Sequence, residues 1–132
     1  MRSVEEELYN IIATALRTQF SGIFVTGEAV NAPPHFPCVA FYEEDNYTMH
    51  DALDSGSEER CAILRYRLDV YSDKAGGKKG EAKDIVSFVE SYLYARNFTR
   101  DSRMPLNDMG DTIFHMIGTY RVVTDGEAFY RI

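Results

Sequence analysis

The alternation of apolar and polar residues is most regular from Ala62 to Ser72, and it predicts a β-strand over this segment. Successive side chains of a strand point to opposite faces of the sheet, so one face should be buried and the other exposed to solvent. The apolar side consists of Leu64, Tyr66, Leu68 and Val70. The polar side consists of Arg65, Arg67 and Asp69.

The alternation stops in the segment Asp73–Gly80, where three glycines and three lysines predict a turn. From Glu81 to Arg96 the apolar residues recur at the spacing of a helix. The apolar face of this helix consists of Ile85, Val86, Phe88, Val89, Tyr92 and Leu93. The opposite face consists of Lys83, Ser87, Glu90 and Tyr94. The strand and the helix each have one apolar face, so the two can pack against each other.

An amphipathic helix is also predicted from Val4 to Thr18, near the start of the chain. Ser3 and Glu6 form the sequence pattern of a capping box at its first turn. Its apolar stripe consists of Val4, Leu8, Ile11, Ile12, Ala15 and Leu16.

Shorter apolar segments predict the remaining strands, which are Gly22–Thr26, Cys38–Glu44, Thr112–Val123 and Ala128–Ile132. Prolines in Asn31–Pro37 exclude regular strand pairing there, and Asn97–Gly110 is predicted to be a polar connection. Consecutive strands are close enough in the chain to pair antiparallel. The order α-β-β-β-α-β-β therefore predicts an α+β fold, a mainly antiparallel β-sheet with two helices packed on one face.

A long acidic loop at about residues 45–60 is the most unusual segment of the chain. From Glu43 to Glu59 there are seven acidic residues and no lysine or arginine. Loops of this length inside a compact domain are uncommon and tend to be functional or mobile. The full length of 132 residues fits a single domain that covers residues 1–132.

The net charge of −7 disfavours nucleic-acid binding, which normally requires a surplus of lysine and arginine. No segment approaches the ~20 apolar residues that cross a bilayer. Three consecutive glutamates near the N-terminus are unlike a signal peptide, so we expect a soluble, non-exported chain. Cys38 and Cys61 fit neither a disulfide framework nor a metal site, and we expect both to be reduced.

The sequence contains no recognisable catalytic constellation, and we expect neither enzymatic activity nor a cofactor. The turn near Gly77 lacks the Gly-Lys-Ser/Thr triplet of a phosphate-binding loop. His35, His50 and His115 have no other metal-ligating residue at the required spacing. The parity of His115 within its strand predicts a solvent-exposed face or a sheet edge.

Aromatic residues are more numerous than one small core needs. The candidates for exposure are Tyr42, Tyr47, Tyr94, Phe129 and Tyr130. Because tyrosine is enriched at protein interfaces, these residues favour self-association.

Three segments follow one another with characteristic residues, namely Tyr66–Ser72 (YRLDVYS), Gly76–Ala82 (GGKKGEA) and Tyr92–Arg100 (YLYARNFTR). This succession resembles the tail terminator, or tail completion, proteins of long-tailed bacteriophages. In that family a strand, a glycine-lysine turn and a helix precede a return segment and a long final strand carrying Tyr-Arg, which Gly118–Val122 (GTYRV) matches. Asn97 stands where the family pattern has a glycine.

The resemblance implies a structural virion protein that forms a ring-shaped homo-oligomer, a hexamer, at the end of the phage tail. Such a ring caps the tube that the tail tube protein forms and ends its polymerisation. It also joins the tail to the head–tail connector protein. It would be found in the virion tail, and in the host cytoplasm during assembly. No membrane and no sequence-specific nucleic acid is expected as a partner.

The acidic segment, the lysine-rich turn and the surplus tyrosines provide the candidate interface residues. They are Tyr47, Met49, Asp51, Leu53, Asp54, Lys78, Lys79 and Tyr94. Two alternative functions remain open: another head–tail connector or tail-tube component, and a small non-catalytic ligand-binding regulatory domain. An enzyme of unknown type ranks last.

Overall fold

The computed structural model describes residues 5–30, 32–48, 62–108, 110–125 and 129–130. Two helices and six strands lie in these ranges. In chain order they are α1 (Glu5–Gln19), β1 (Phe24–Thr26), β2 (Cys38–Thr48), β3 (Ala62–Ser72), α2 (Lys78–Ala95), β4 (Thr99–Leu106), β5 (Phe114–Thr124) and β6 (Phe129–Tyr130). Ser3 of the predicted capping box, His50 and Cys61 lie outside the described residues.

The strands form one sheet in the order β1-β2-β3-β5-β4, and β6 pairs with the end of β5. The strand β3 lies at the centre and pairs antiparallel with β2 on one side and with β5 on the other. All other pairs are antiparallel except β1 with β2, which is parallel. The predicted α+β fold with a mainly antiparallel sheet is confirmed.

Both helices bury their apolar stripes against the same parity of β3. One core cluster contains Ile12 of α1, Val89 of α2 and Leu68 of β3. The alternation of β3 therefore reports correctly which face meets the helices. Two stripe residues of α1, Ile11 and Ala15, are only half-buried and line a surface groove between the two helices.

Four sequence-based boundaries or pairings were wrong. The segment Asn97–Gly110 contains the strand β4, whose residues do not alternate because most of them are exposed at the sheet edge. The strand β2 continues to Thr48, so the first part of the predicted acidic loop is paired with β3. The helix α2 begins at Lys78, within the predicted turn. The strand β1 pairs parallel with β2, whereas consecutive strands were predicted to pair antiparallel.

The end of α2 has a backbone geometry that glycine usually provides, and here Asn97 adopts it. Its backbone φ is 69°, in the left-handed region that favours glycine and, next to it, asparagine. The N–H of Phe98 donates to the carbonyl of Leu93, and the N–H of Asn97 donates to that of Tyr94. These two bonds form a Schellman motif, which ends the helix and directs the chain into β4.

Replacing Asn97 with alanine is expected to lower the free energy of unfolding by about 1 to 2 kcal/mol, because a Cβ-bearing residue without a polar side chain is strained at positive φ. The alanine also removes the bond from Asn97 Nδ2 to the carbonyl of Phe129, which is 2.9 Å long. Asn97→Gly is the matched control, since it loses the same bond but relieves the strain. Equal urea midpoints for the alanine and glycine variants would contradict the strain assignment.

Candidate functional site

A buried polar cluster lies on the face of the sheet opposite the helices. His115 of β5 is 2% exposed, and its Nε2 lies 2.7 Å from Oδ1 of Asp69 in β3. Its Nδ1 lies 2.8 Å from Oδ1 of Asp108, in the connection between β4 and β5. Arg67 completes the cluster, donating from Nε to Asp69 Oδ2 at 3.0 Å. The imidazole is thus held between two carboxylates.

The charges of this cluster support one another. Burial by itself lowers the pKa of His115, but the bonds to Asp69 and Asp108 outweigh it and raise that pKa above its ordinary value. Burial by itself raises the pKa of Asp69, yet the bonds from His115 and Arg67 hold that pKa below its ordinary value. The geometry favours an imidazolium ion, because both ring nitrogens face carboxylate oxygens. With both ring nitrogens engaged, His115 has no free lone pair to act as a general base.

The sequence-based placement of this cluster was partly wrong. His115 lies on the side of β5 opposite to Met116, as predicted. It is buried, however, whereas the prediction was a solvent-exposed face or a sheet edge. Asp69, assigned to the exposed side of its strand, is likewise buried. The Tyr71 ring stacks on the imidazole at 4.1 Å between ring centroids, and its hydroxyl donates to the carbonyl of Val30. The connection before β2 thereby covers this end of the polar face.

Cys38 lies next to this cluster in β2 and is buried. Burial, with the nearby carboxylate of Asp69 as a second cause, raises the pKa of the Cys38 thiol to about 11. A thiol that remains protonated at neutral pH is a poor nucleophile. Cys38 therefore acts as a small core residue at this position.

A second polar cluster lies between α2 and the sheet edge. Glu90 of α2 is only 6% exposed, although the helical wheel places it on the polar face. The hydroxyl of Tyr120 in β5 donates to Glu90 Oε2 at 2.7 Å. Arg100 and Arg103 of β4 approach the same carboxylate at 3.4 and 3.5 Å. These contacts fasten the edge strand β4 to the helix layer.

A third contact fastens β4 to the opposite face of the sheet. Arg65 of β3 and Arg121 of β5 are directly opposite each other across the strand pair, an unfavourable juxtaposition of like charges. Asp101 of β4 lies 3.8 Å from Arg65 and 2.8 Å from Arg121. The carboxylate of Asp101 offsets the repulsion between these two arginines. The strand β4 therefore also balances charge on this face of the sheet.

The predicted interface residues fall into two groups. Met49, Asp51, Leu53 and Asp54 lie outside the described residues. The other four are placed, Tyr47 by its backbone alone. It pairs with Ile63 across β2 and β3. Lys78 and Lys79 form the start of α2, and Tyr94 is 43% exposed near the end of that helix. The structure therefore separates Tyr94 from the lysines by the length of α2.

Among the aromatic residues proposed for exposure, Tyr94 and Tyr130 are exposed. Tyr42 and Phe129 are half-buried. The expectation of a surplus of surface aromatics is thus confirmed for two residues. Sequence reasoning missed the exposed apolar side chains of Met104 and Leu106, because the strand β4 was not recognised.

A shallow groove of about 660 Å³ runs between the two helices on the surface. Ile11 and Ala15 of α1 form one side, and Phe88 and Tyr92 of α2 form the other. The remaining lining residues are neutral and polar, namely Asn10, Thr14, Thr18 and Gln19. The groove offers apolar contact but no charged group to orient a ligand.

In the described ranges, no group of three or more His, Cys, Asp or Glu side chains is placed to hold a metal ion. No helix of that part of the chain is long and apolar enough to cross a membrane. Comparison with known protein families and with curated proteins finds no match to this chain.

Proposed function

We propose that this chain is a phage tail terminator that assembles into a ring on the end of the tail tube. The ring ends tube polymerisation and presents its other surface to the head–tail connector. The observation that carries the proposal is the placement of the family-like segments. Tyr66–Ser72 lies in the central strand β3, and Gly76–Ala82 leads into α2. Gly118–Val122 lies in β5, which pairs with β3.

The geometry of the return segment also supports the proposal. A glycine in the family pattern indicates a backbone that turns with positive φ, and Asn97 has that conformation here. The departure from the pattern at this position therefore preserves the turn. The arrangement of His115 favours a structural role for the polar cluster over a catalytic one, since both ring nitrogens face carboxylates.

Ring assembly requires unlike surfaces to meet, because each subunit contacts the next head to tail. The four lysines of the chain all fall between Lys74 and Lys83, at the start of α2. The segment Glu43–Glu59 carries seven acidic residues. We propose that the acidic segment of one subunit faces the lysines of its neighbour, which steers assembly and sets its register.

Charge reversal tests this contact. Lys78→Glu with Lys79→Glu is expected to weaken self-association by about tenfold, and more at low salt, because exposed ion pairs are screened. Adding Asp51→Lys and Asp54→Lys to the same chain should restore part of the lost association. Light scattering at several salt concentrations measures the oligomer, and negative-stain electron microscopy detects rings. The triple variant Asn10→Glu, Arg17→Glu and Gln19→Glu is the control for net charge, since it also changes the charge by −4 and all three residues are exposed on α1.

Three results would redirect the proposal. Lysine variants that form rings as the parent does but fail to cap tail tubes would place the charged surface at the tube and not at the neighbouring subunit. A parent chain that remains monomeric at all concentrations, and does not cap purified tubes, would contradict the tail terminator function itself. Long tubes in place of single rings would identify the alternative, a tail-tube component.

The groove between α1 and α2 favours a second candidate function, a non-catalytic ligand-binding domain. Its volume is in the range of small-molecule sites, which are mostly apolar. A screen of small apolar compounds by nuclear magnetic resonance, followed at Phe88 and Tyr92, distinguishes this candidate. Saturable binding that Phe88→Ala removes, in a chain that forms no rings, would favour it.

A further inference from the structure

Both lateral edges of the sheet have backbone groups that a second copy of the chain could pair with. At one edge, β4 is the last strand, and within the described ranges no strand pairs with its outer side. Most of its residues are exposed, including Met104 at 51%. An edge strand presents unpaired N–H and C=O groups, which can pair with a strand of another chain.

At the other lateral edge, β1 pairs with only part of β2. It pairs with Cys38–Ala40, so in the described part of the chain Phe41–Thr48 has a strand neighbour on one side only. The backbone N–H of Glu43 donates to Glu5 Oε2 at 2.7 Å. This N–H therefore points away from β3, towards the outer edge, and its acceptor in the single chain is a side chain.

The directions of the two edge strands are compatible. Antiparallel pairing alternates from β2 to β3, from β3 to β5 and from β5 to β4, so β2 and β4 run in opposite directions. When copies stand side by side around an axis along the strands, β4 of one copy meets β2 of the next antiparallel. This pairing also keeps the helices of all copies on the same side of the joined sheet.

We infer that β4 pairs antiparallel with the Phe41–Thr48 half of β2 in the next copy, so that one sheet continues from subunit to subunit. The inference rests on the proposed ring but is an alternative to the contact between the acidic segment and the lysines. Thr48 and Ala62, the strand ends that this segment connects, lie at the end of the sheet opposite to Lys78. Each edge strand pairs with a second copy of this chain. The β4 strand of one copy displaces Glu5 of the next copy from the N–H of Glu43. Pro105 has no N–H to donate, so the pairing is centred on Arg100–Met104.

The side of the sheet on which each side chain lies selects one register for the pairing of β4 with β2. Arg103 contacts Ser87 of α2, and Glu43 accepts a bond from the core residue Tyr66, so both lie on the helix side of the sheet. Met104 and Tyr42 both lie on the opposite side, at the parity of Ile117 and Asp69. Placing Arg103 opposite Glu43 also places Met104 opposite Tyr42. This register sets an arginine against a glutamate and Met104 against the ring of Tyr42. It also brings Asp101 opposite Asp45, and Arg121 already balances the charge of Asp101.

Charge makes this pairing favourable between unlike edges. The segment Phe41–Thr48 contains Glu43, Glu44 and Asp45 and no basic residue, whereas Thr99–Leu106 contains two arginines and one aspartate. Two β2 edges would repel each other. Unlike edges generate a head-to-tail contact, and such a contact closes into a ring when the rotation between copies allows it.

Cysteine cross-linking tests the register directly. Met104→Cys and Tyr42→Cys are placed together in a chain that carries Cys61→Ser, and the protein is oxidised mildly. Opposite residues of an antiparallel pair have Cβ atoms about 5 Å apart, close enough for a disulfide after small adjustments. We expect a ladder of covalent multimers under denaturing conditions. Ser91→Cys with Tyr42→Cys is the matched control, because Ser91 is also exposed but lies on α2.

A second variant tests the edge without new cysteines. Met104→Lys places a charge on an exposed side chain of β4, and we expect it to weaken ring formation by about tenfold with unchanged thermal stability. Ser91→Lys, on the exposed surface of α2, should leave ring formation unchanged. Rings by electron microscopy without a covalent ladder, and with Met104→Lys assembling as the parent does, would overturn the strand pairing but leave the ring. Absence of rings in the parent would overturn both.

Discussion

Replacing Gly118 with alanine is expected to lower the free energy of unfolding by about 3 kcal/mol, because the new methyl group occupies the place of the Tyr120 side chain. A Cβ at Gly118 would overlap the hydroxyl oxygen of Tyr120 and would lie 2.8 Å from Cε2 and Cζ of its ring. The ring is fully buried, so it cannot swing away into solvent. Moving it also breaks the bond from the Tyr120 hydroxyl to Glu90.

Two further variants isolate this cause. Gly80→Ala is the matched control, since nothing lies within 4 Å of its Cβ position in α2, and it should be neutral or slightly stabilising. In a double-mutant cycle, Tyr120→Phe removes the closest contacting atom. The double variant should therefore lose less stability than the sum of the two single variants. Strict additivity in urea unfolding would show that Gly118 acts independently of Tyr120.

Replacing His115 with alanine is expected to destabilise the fold by about 3 kcal/mol near pH 6. The substitution removes one of the two charged partners of the buried Asp69 carboxylate and leaves only Arg67. The alanine also leaves Asp108 without its link to the sheet. Chemical unfolding at a series of pH values measures the difference between the parent and this variant.

The pH dependence follows from the two shifted groups. His115 has a raised pKa in the folded state, so its contribution is fully present below its unfolded pKa of about 6.5 and is lost as pH rises through the folded value. Asp69 has a lowered pKa, so its contribution is present above about pH 4 and is lost as pH falls through the folded value. The stability difference should be largest between about pH 4 and pH 6.5 and smaller at pH 9.

The same series needs a control histidine. His35 is exposed in the connection before β2, so His35→Ala controls for the loss of a histidine and should leave the stability unchanged. The other charged and titratable groups at His115 are Arg67, Tyr42, Tyr71 and Cys38, and burial raises the pKa values of Tyr42, Tyr71 and Cys38. A stability difference for His115→Ala that is the same from pH 5 to pH 9 would contradict an imidazolium between the two carboxylates.

Local periodicity identified the elements whose burial is one-sided. β3 begins and ends where the alternation does, and the predicted apolar face of α2 includes Ile85, Val89 and Leu93, all of which are buried. In such elements each residue's environment follows from its position along the chain, so a pattern of period 2 or 3.6 reports the core directly. The same patterns were sufficient for the α+β fold class.

The strand β4 could not be recognised in this way, because a strand at a sheet edge has little burial to impose an alternation. Its apolar residues Met104 and Leu106 are exposed, and its arginines reach back to Glu90 in α2. The strand β4 therefore leaves almost no signal in the hydrophobic pattern, and the pattern of β2 does not reveal that it lies near the other edge of the sheet. Both edges become visible only when the strand order is known.

The amino-acid pattern alone was enough to determine the class of fold, the central strand and the two helices, since each depends on neighbours within a few residues. Tertiary structure decided the environment of the charged side chains. Asp69 and His115 are separated by 46 residues and Glu90 and Tyr120 by 30, yet each pair is joined by a hydrogen bond of 2.7 Å. A polar residue is stable in a protein interior only when distant parts of the chain supply its partners, and hydrophobic periodicity contains no information about those partners.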